Sequence, residues 1–150
     1  MTEERLEYSE YDNAVKRIRE KNGEYLTGFA ESLSAQGLSD KTIKNHITNV
    51  DFYINHYLLY EEPLDAAQGC GLKVSHFLGY WFITKAMWSS VESIKSTAAS
   101  IKKFYKYLLG IGVVAKADYD DLLETIKEEM PEWLQDMQEY DEGTIDWLQF

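Results

Sequence analysis

Apolar residues recur at helical spacing through most of this 150-residue chain, and that periodicity constrains the fold more than any other feature. The pattern is clearest between residues 40 and 60, where one set of apolar side chains falls within about 80° on a helical projection. The set consists of Ile43, Ile47, Val50, Ile54 and Tyr57. No segment shows the apolar–polar alternation of a half-buried strand, so we predict a mainly α-helical fold.

Glycine, proline and capping residues divide the chain into helices. Gly37 has the position of a left-handed helix stop, and Ser39 that of an N-cap. Ser89 and Glu92 form a capping-box pattern ahead of a later helix, and Pro131 is expected to end a helix. The predicted helices cover residues 11–35, with a frayed extension before residue 11, then 40–60, 73–86, 89–109 and 119–130, with a short helical turn at 132–140.

The composition is typical of a globular protein in a reducing compartment. Apolar residues make up 45% of the chain, enough for a core, and the single cysteine excludes an intrachain disulfide. The charged N-terminal segment lacks the apolar stretch of a signal peptide, and no run approaches the roughly 20 residues of a membrane span. We therefore predict one cytoplasmic domain without membrane contact, with a helical core over 11–116 and an acidic helical extension over 117–150.

Charge is distributed unevenly along the chain. Residues 1–37 hold five Lys or Arg against eight Asp or Glu, residues 38–116 hold nine against six, and residues 117–150 hold one against twelve. The three net charges of −3, +3 and −11 add to the total of −11. The middle of the chain is thus mildly basic, although a net charge of −11 argues against phosphate binding by the chain as a whole.

Two helix faces carry the residues that point to a nucleic acid. On the predicted fourth helix, lysines lie at about 80–180° from the apolar stripe, beside small residues that leave the backbone approachable. Lysine suits phosphate, hydroxyls add hydrogen bonds, and asparagine can read an adenine edge. The predicted DNA-binding residues are Lys41, Thr42, Lys44, Asn45 and Thr48 on the second helix and Lys95, Ser96, Ser100, Lys102, Lys103 and Lys106 on the fourth.

Other chemistry has little support in the sequence. The histidines are too few and badly spaced for a metal site, and Cys70 has no histidine near it in sequence. No phosphate loop or Ser/His/Asp arrangement is present, so we expect no cofactor and no small-molecule substrate. The aromatic residues at helical spacing are interpreted as core: Trp81, Trp88, Phe104 and Tyr105.

The order of these motifs resembles the N-terminal core-binding domain of tyrosine recombinases, the phage integrase family. The resemblance covers about residues 20–130. It begins with the run from Glu24 to Leu33, continues through Gly37-Leu38-Ser39 and Thr42 to His46, and includes Val50 to Tyr53 and Phe77-Leu78. It closes with Ser93 to Ser96 and the run from Ser100 to Leu108.

The resemblance implies a four-helix, SAM-like orthogonal bundle that grips duplex DNA with its second and fourth helices. The matching positions are Thr42, Lys44, Asn45, Ser96, Ser100, Lys102 and Lys103. The family's catalytic arginine, lysine, histidine and tyrosine constellation is missing, because no His-x-x-Arg occurs and the arginines precede the bundle. We therefore expect no enzyme activity from these residues.

The acidic charge leaves alternatives open both for the function of the chain and for the role of its acidic C-terminal residues. The chain is either a DNA-binding domain or a helical protein-interaction module that has lost DNA binding and contacts a full-length recombinase or another copy of itself. The acidic residues 128–146, with Trp133, Leu134, Met137, Trp147 and Phe150 in and beside them, either close the bundle as an amphipathic helix, or fold over the lysines and compete with DNA, or dock a partner.

Overall fold

The computed structural model of the chain describes residues 3–143, with side chains from residue 9 onward. The fold is mainly α-helical, as predicted, and the described residues contain no strand. The described residues fall into two compact units, residues 3–69 and residues 70–143. No helix within the described range has the length and hydropathy to cross a membrane.

The first unit contains two helices. Helix α1 spans Glu3–Ala35, and α2 spans Asp40–Asp51 before widening into a π-helical segment, Phe52–Tyr57. The predicted boundary between them is confirmed: Gly37 has a φ of 87°, and the Ser39 hydroxyl accepts the Thr42 N–H as the N-cap of α2. The buried apolar residues of these helices are Phe29, Leu33, Val50, Tyr53, Ile54 and Tyr57.

An asparagine of α1 stabilises the widened turn at the end of the second helix. The Leu58 N–H donates to the carbonyl of Tyr53, five residues back, instead of to Ile54 as it would in an α-helix. The Asn22 Nδ2 group donates to the Ile54 carbonyl at 3.2 Å and to Asn55 Oδ1 at 2.8 Å. Because Asn22 is only 1% exposed, these hydrogen bonds form away from water, where an unpaired carbonyl is costly.

Replacing Asn22 with alanine is expected to lower the free energy of unfolding by about 1–2 kcal/mol, because the buried Ile54 carbonyl would lose this donor. Urea denaturation followed by circular dichroism measures the change. Asn13→Ala, which alters an exposed asparagine of the same helix, is the matched control and should change stability by less than about 0.5 kcal/mol. Equal effects of the two variants would contradict this account of the π-helical segment.

The second unit begins with a continuous helical stretch over residues 72–85. It consists of α3 (Leu72–His76), a π-helical segment (Phe77–Trp81) and α4 (Phe82–Lys85), and it agrees with the helix predicted at 73–86. Its buried side chains are Val74, Phe77, Leu78, Phe82 and Ile83. Helices α5 (Val91–Gly110) and α6 (Lys116–Asp141) follow and pack against each other.

The start of α5 differs by one residue from the predicted capping box. Ser90, and not Ser89, is the N-cap, and its partner is Ser93: each side chain accepts the other residue's backbone N–H. The Ser89 hydroxyl instead donates to the Ile83 carbonyl at 3.1 Å, which anchors the preceding turn. At the third helical position a serine hydroxyl can accept the N-cap N–H, as a glutamate carboxylate would. The sequence therefore contains two overlapping capping-box patterns, Ser89 with Glu92 and Ser90 with Ser93.

The prediction that Pro131 ends a helix is wrong. Helix α6 begins at Lys116, the end of the predicted core, and continues through Pro131 to Asp141. An internal proline costs about 3 kcal/mol. Beyond it, however, Trp133 and Met137 are 3% and 0% exposed, and each buried side chain of this size contributes about 1.5–3 kcal/mol. Their burial offsets the proline.

Candidate nucleic-acid interface

The polar face of α2 is exposed in the first unit. All five predicted residues of this helix are solvent-exposed, while Val50 on the opposite side is buried. The Ser39 hydroxyl also donates to the Thr42 hydroxyl at 3.0 Å, which holds Thr42 beside the helix N-terminus. Asp40 is exposed in the same turn, so a carboxylate accompanies Lys41 and Lys44 on this surface.

Four lysines of α5 lie on one exposed face in the second unit, which also carries Glu92 in the first turn. Lys95, Lys102 and Lys106 lie within about 40° of one another around the helix, and Lys103 lies about 60° further round. All four side chains are exposed, and no ion pair engages them within residues 9–143. We call these four residues the lysine face. Ser96 is exposed next to it.

Ser100 does not belong to this face. The residue is fully buried, and its hydroxyl donates to the Ser96 carbonyl one turn earlier at 3.1 Å. On a helical projection it lies about 60° beyond Lys103, toward the buried side of α5. A small hydroxyl residue at the edge between the exposed and the buried face of a helix can lie on either face. The tertiary packing places Ser100 on the buried face.

Helix α6 concentrates the acidity of the second unit. It carries ten carboxylates against two lysines, and the pKa of Asp136 is raised by its partial burial and by the neighbouring Glu132 and Glu139. Helix α6 packs on α5, but neither α6 nor the residues that follow it up to Gly143 cover the lysine face. Two of the residues predicted to help cover the lysines, Trp147 and Phe150, lie outside the described residues.

The remaining reactive groups do not assemble into a second site. Burial, reinforced by Asp118, raises the pKa of the Cys70 thiol to about 11, so the thiolate that reacts as a nucleophile is scarce near neutral pH. His56 Nε2 lies 3.7 Å from Asp51 Oδ2 on the surface of the first unit. Over the described range, no three His, Cys, Asp or Glu side chains have an arrangement that could hold a metal ion.

Comparison with known proteins leaves the chain without an assigned family. No protein-family model, curated protein or solved structure matches it. The resemblance to recombinases therefore remains a prediction from the sequence motifs.

Sequence reasoning overlooked one exposed feature. Trp88 was predicted in the core but is 56% exposed, and the preceding Met87 is 99% exposed. Phe104 and Tyr105, predicted with it, are buried as expected. Its position in the sequence could have indicated this exposure. Met87 and Trp88 directly precede the two serines at the start of α5 and therefore lie in a turn, where helical spacing does not predict burial.

Proposed function

We propose that this chain binds duplex DNA through the lysine face of α5, with the polar face of α2 as a second contact surface. The supporting observation is that Lys95, Lys102, Lys103 and Lys106 are exposed and form no ion pair with any residue between 9 and 143, in a chain whose net charge is −11. Flexible ammonium groups on one helix face suit a row of phosphates, since each contact releases a condensed counterion.

The proposed contacts are mainly to the DNA backbone. Ser96, beside the lysines, would donate a short hydrogen bond to a phosphate. On α2, Lys41 and Lys44 would supply charge, Thr42 and Thr48 hydrogen bonds, and Asn45 a side chain suited to an adenine edge. A surface of this composition predicts binding with little sequence preference.

The proposed DNA-binding role is the one that the resemblance to recombinase core-binding domains implies. A four-helix, SAM-like core-binding domain positions recombinases on DNA, and a separate catalytic domain cleaves the strands. The proposed role of these residues is therefore to hold DNA without cutting it, in agreement with the missing His-x-x-Arg motif.

Replacing Lys95, Lys102 and Lys103 together with glutamate is expected to weaken DNA binding by more than tenfold. Fluorescence anisotropy of a labelled duplex of about 30 base pairs, titrated at several salt concentrations, measures the change. For the unaltered chain, affinity should fall steeply with salt, and the variant should lose about three units of the log–log slope, one for each phosphate contact removed.

The matched control replaces three other exposed lysines, Lys16, Lys73 and Lys127, with glutamate, which alters the net charge by the same amount. This variant should keep most of the affinity, because it leaves the lysine face intact. An equal loss of affinity in both variants would show that total charge governs binding and would contradict the assignment of DNA binding to the lysine face. Absence of binding at low salt would refute the proposal.

The second candidate function is protein interaction. The net charge of −11 and the ten carboxylates of α6 favour it, since such a surface repels phosphate. On this reading the chain contacts a full-length recombinase or another copy of itself. Failure of the DNA titration, together with a concentration-dependent rise in molecular mass by light scattering, would support the interaction of two copies.

A further inference from the structure

The lysine face has dimensions that a second protein surface could match. Its four ammonium groups are exposed and form no ion pair with any residue between 9 and 143. Eleven positions separate Lys95 from Lys106, which is about 16 Å along the helix. A protein partner of this face needs a row of carboxylates of similar length.

Helix α6 presents such a row in the same unit. Four of its carboxylates lie within about 120° of one another on a helical projection, and ten positions, about 15 Å, separate the first from the last. They are Asp118, Asp121, Glu124 and Glu128. All four are exposed, and none forms an ion pair with any residue between 9 and 143. The lysines of α6, at positions 116 and 127, lie on the other side of the helix.

These carboxylates line a groove of about 440 Å³, together with residues 70–72. We call it the acidic groove. Leu72, in its wall, is 83% exposed and offers an apolar contact beside the charges. The negative charge acts on a neighbouring group, since burial and then the charge of Asp118 raise the pKa of the Cys70 thiol to about 11. Long aliphatic side chains that end in a positive charge, as lysine has, fit a groove of this composition.

The two surfaces do not pair with each other inside one molecule. Within residues 9–143 no ion pair joins the lysine face to the acidic groove, although α5 and α6 belong to the same unit. Both surfaces are therefore open to another molecule. A second copy of the chain carries both, with opposite charges in rows of nearly equal length.

We propose that the lysine face of one copy docks in the acidic groove of a second copy, and that this contact competes with DNA for the same lysines. The contact itself is independent of DNA binding, whereas the competition rests on the proposed function. Because exposed ion pairs are individually weak and are screened by salt, the contact forms at high protein concentration and low ionic strength.

Charge reversal with complementation tests the contact in the full chain. Sedimentation velocity at about 100 µM protein should show an average mass above that of one chain in low salt, and the mass of one chain at about 0.5 M salt, where exposed charges are screened. Two triple variants should each stay monomeric in low salt. One reverses the lysine face (Lys95→Glu, Lys102→Glu, Lys103→Glu), and the other reverses the groove (Asp118→Lys, Asp121→Lys, Glu124→Lys).

An equimolar mixture of the two variants should associate again, because the intact groove of the first meets the intact lysine face of the second. Both variants keep a negative net charge, so restored association is not a general attraction between them, and it shows that both are folded. The matched control replaces the exposed Lys16, Lys85 and Lys127 with glutamate. It changes the net charge as much as the lysine-face variant does and should associate like the original chain.

A chain that is monomeric at low salt, a mixture that stays monomeric, or association that salt leaves unchanged would overturn the contact. The competition has a separate readout, since saturating duplex DNA should return the associated chain to single copies bound to DNA. Persistence of the protein–protein contact on DNA would overturn the competition. Salt-sensitive association without DNA binding would refute the proposed function and leave the contact standing.

Discussion

Trp133→Ala is expected to lower the free energy of unfolding by about 3–5 kcal/mol, the largest loss that we expect from a single substitution in α6. Trp133 is 3% exposed, and its indole ring lies directly against Gly79 of the π-helical segment. Chemical denaturation followed by circular dichroism measures the loss. Gln135→Ala, an exposed position two residues later, should change stability by less than about 0.5 kcal/mol.

A double-mutant cycle shows whether the contact with Gly79 is responsible. A Cβ at residue 79 would approach Trp133 Nε1 to 2.8 Å, so Gly79→Ala should destabilise the unaltered chain. In the Trp133→Ala background the same substitution should be tolerated, since the crowding ring is gone. A loss below about 1 kcal/mol for Trp133→Ala would mean that α6 beyond Pro131 contributes little to the folded unit.

Pro131→Ala is expected to raise the free energy of unfolding, by up to about 3 kcal/mol. The proline is fifteen residues inside α6, where it withholds the N–H that the Lys127 carbonyl would accept and crowds the preceding turn. Because Pro131 is exposed, alanine removes little packing. Thermal and urea denaturation of both chains measure the difference.

The control for this gain is Gln138→Ala, which alters an exposed residue of α6 without changing its backbone hydrogen bonds. It should leave stability within about 0.5 kcal/mol of the original. If Pro131→Ala instead destabilised the protein, the proline would be relieving strain in a bent helix. The explanation that burial of Trp133 and Met137 offsets the cost of the proline would then be wrong.

Local signals predicted most helix boundaries correctly. Gly37 and Ser39 act through their own backbone conformation and the nearest N–H groups, so their effect is readable within four residues. The apolar stripe of α5 was nearly as readable. It was predicted to contain Val91, Ile94, Ala98, Ile101, Tyr105 and Leu108, and all of these except the partly exposed Val91 are buried. The exposure of the lysine face follows from the same periodicity.

The π-helical segments were not predictable, because a distant residue contributes to one of them. The hydrogen bond from Asn22 to the Ile54 carbonyl joins residues 32 positions apart, and no local pattern announces it. Ser100 shows the same limit for the candidate interface. Its position at the edge of the polar face allowed either exposure or burial, and the packing of α5 decided for burial.

The sequence by itself determined the helical class, most helix boundaries and the existence of two polar helix faces, since each depends on periodicity or on contacts within one turn. Only the tertiary structure decided that α6 runs through Pro131, that Ser100 is buried and that Met87 and Trp88 are exposed. These outcomes depend on which distant side chains cover a given position, and burial free energies of several kcal/mol can exceed a local preference of about 3 kcal/mol.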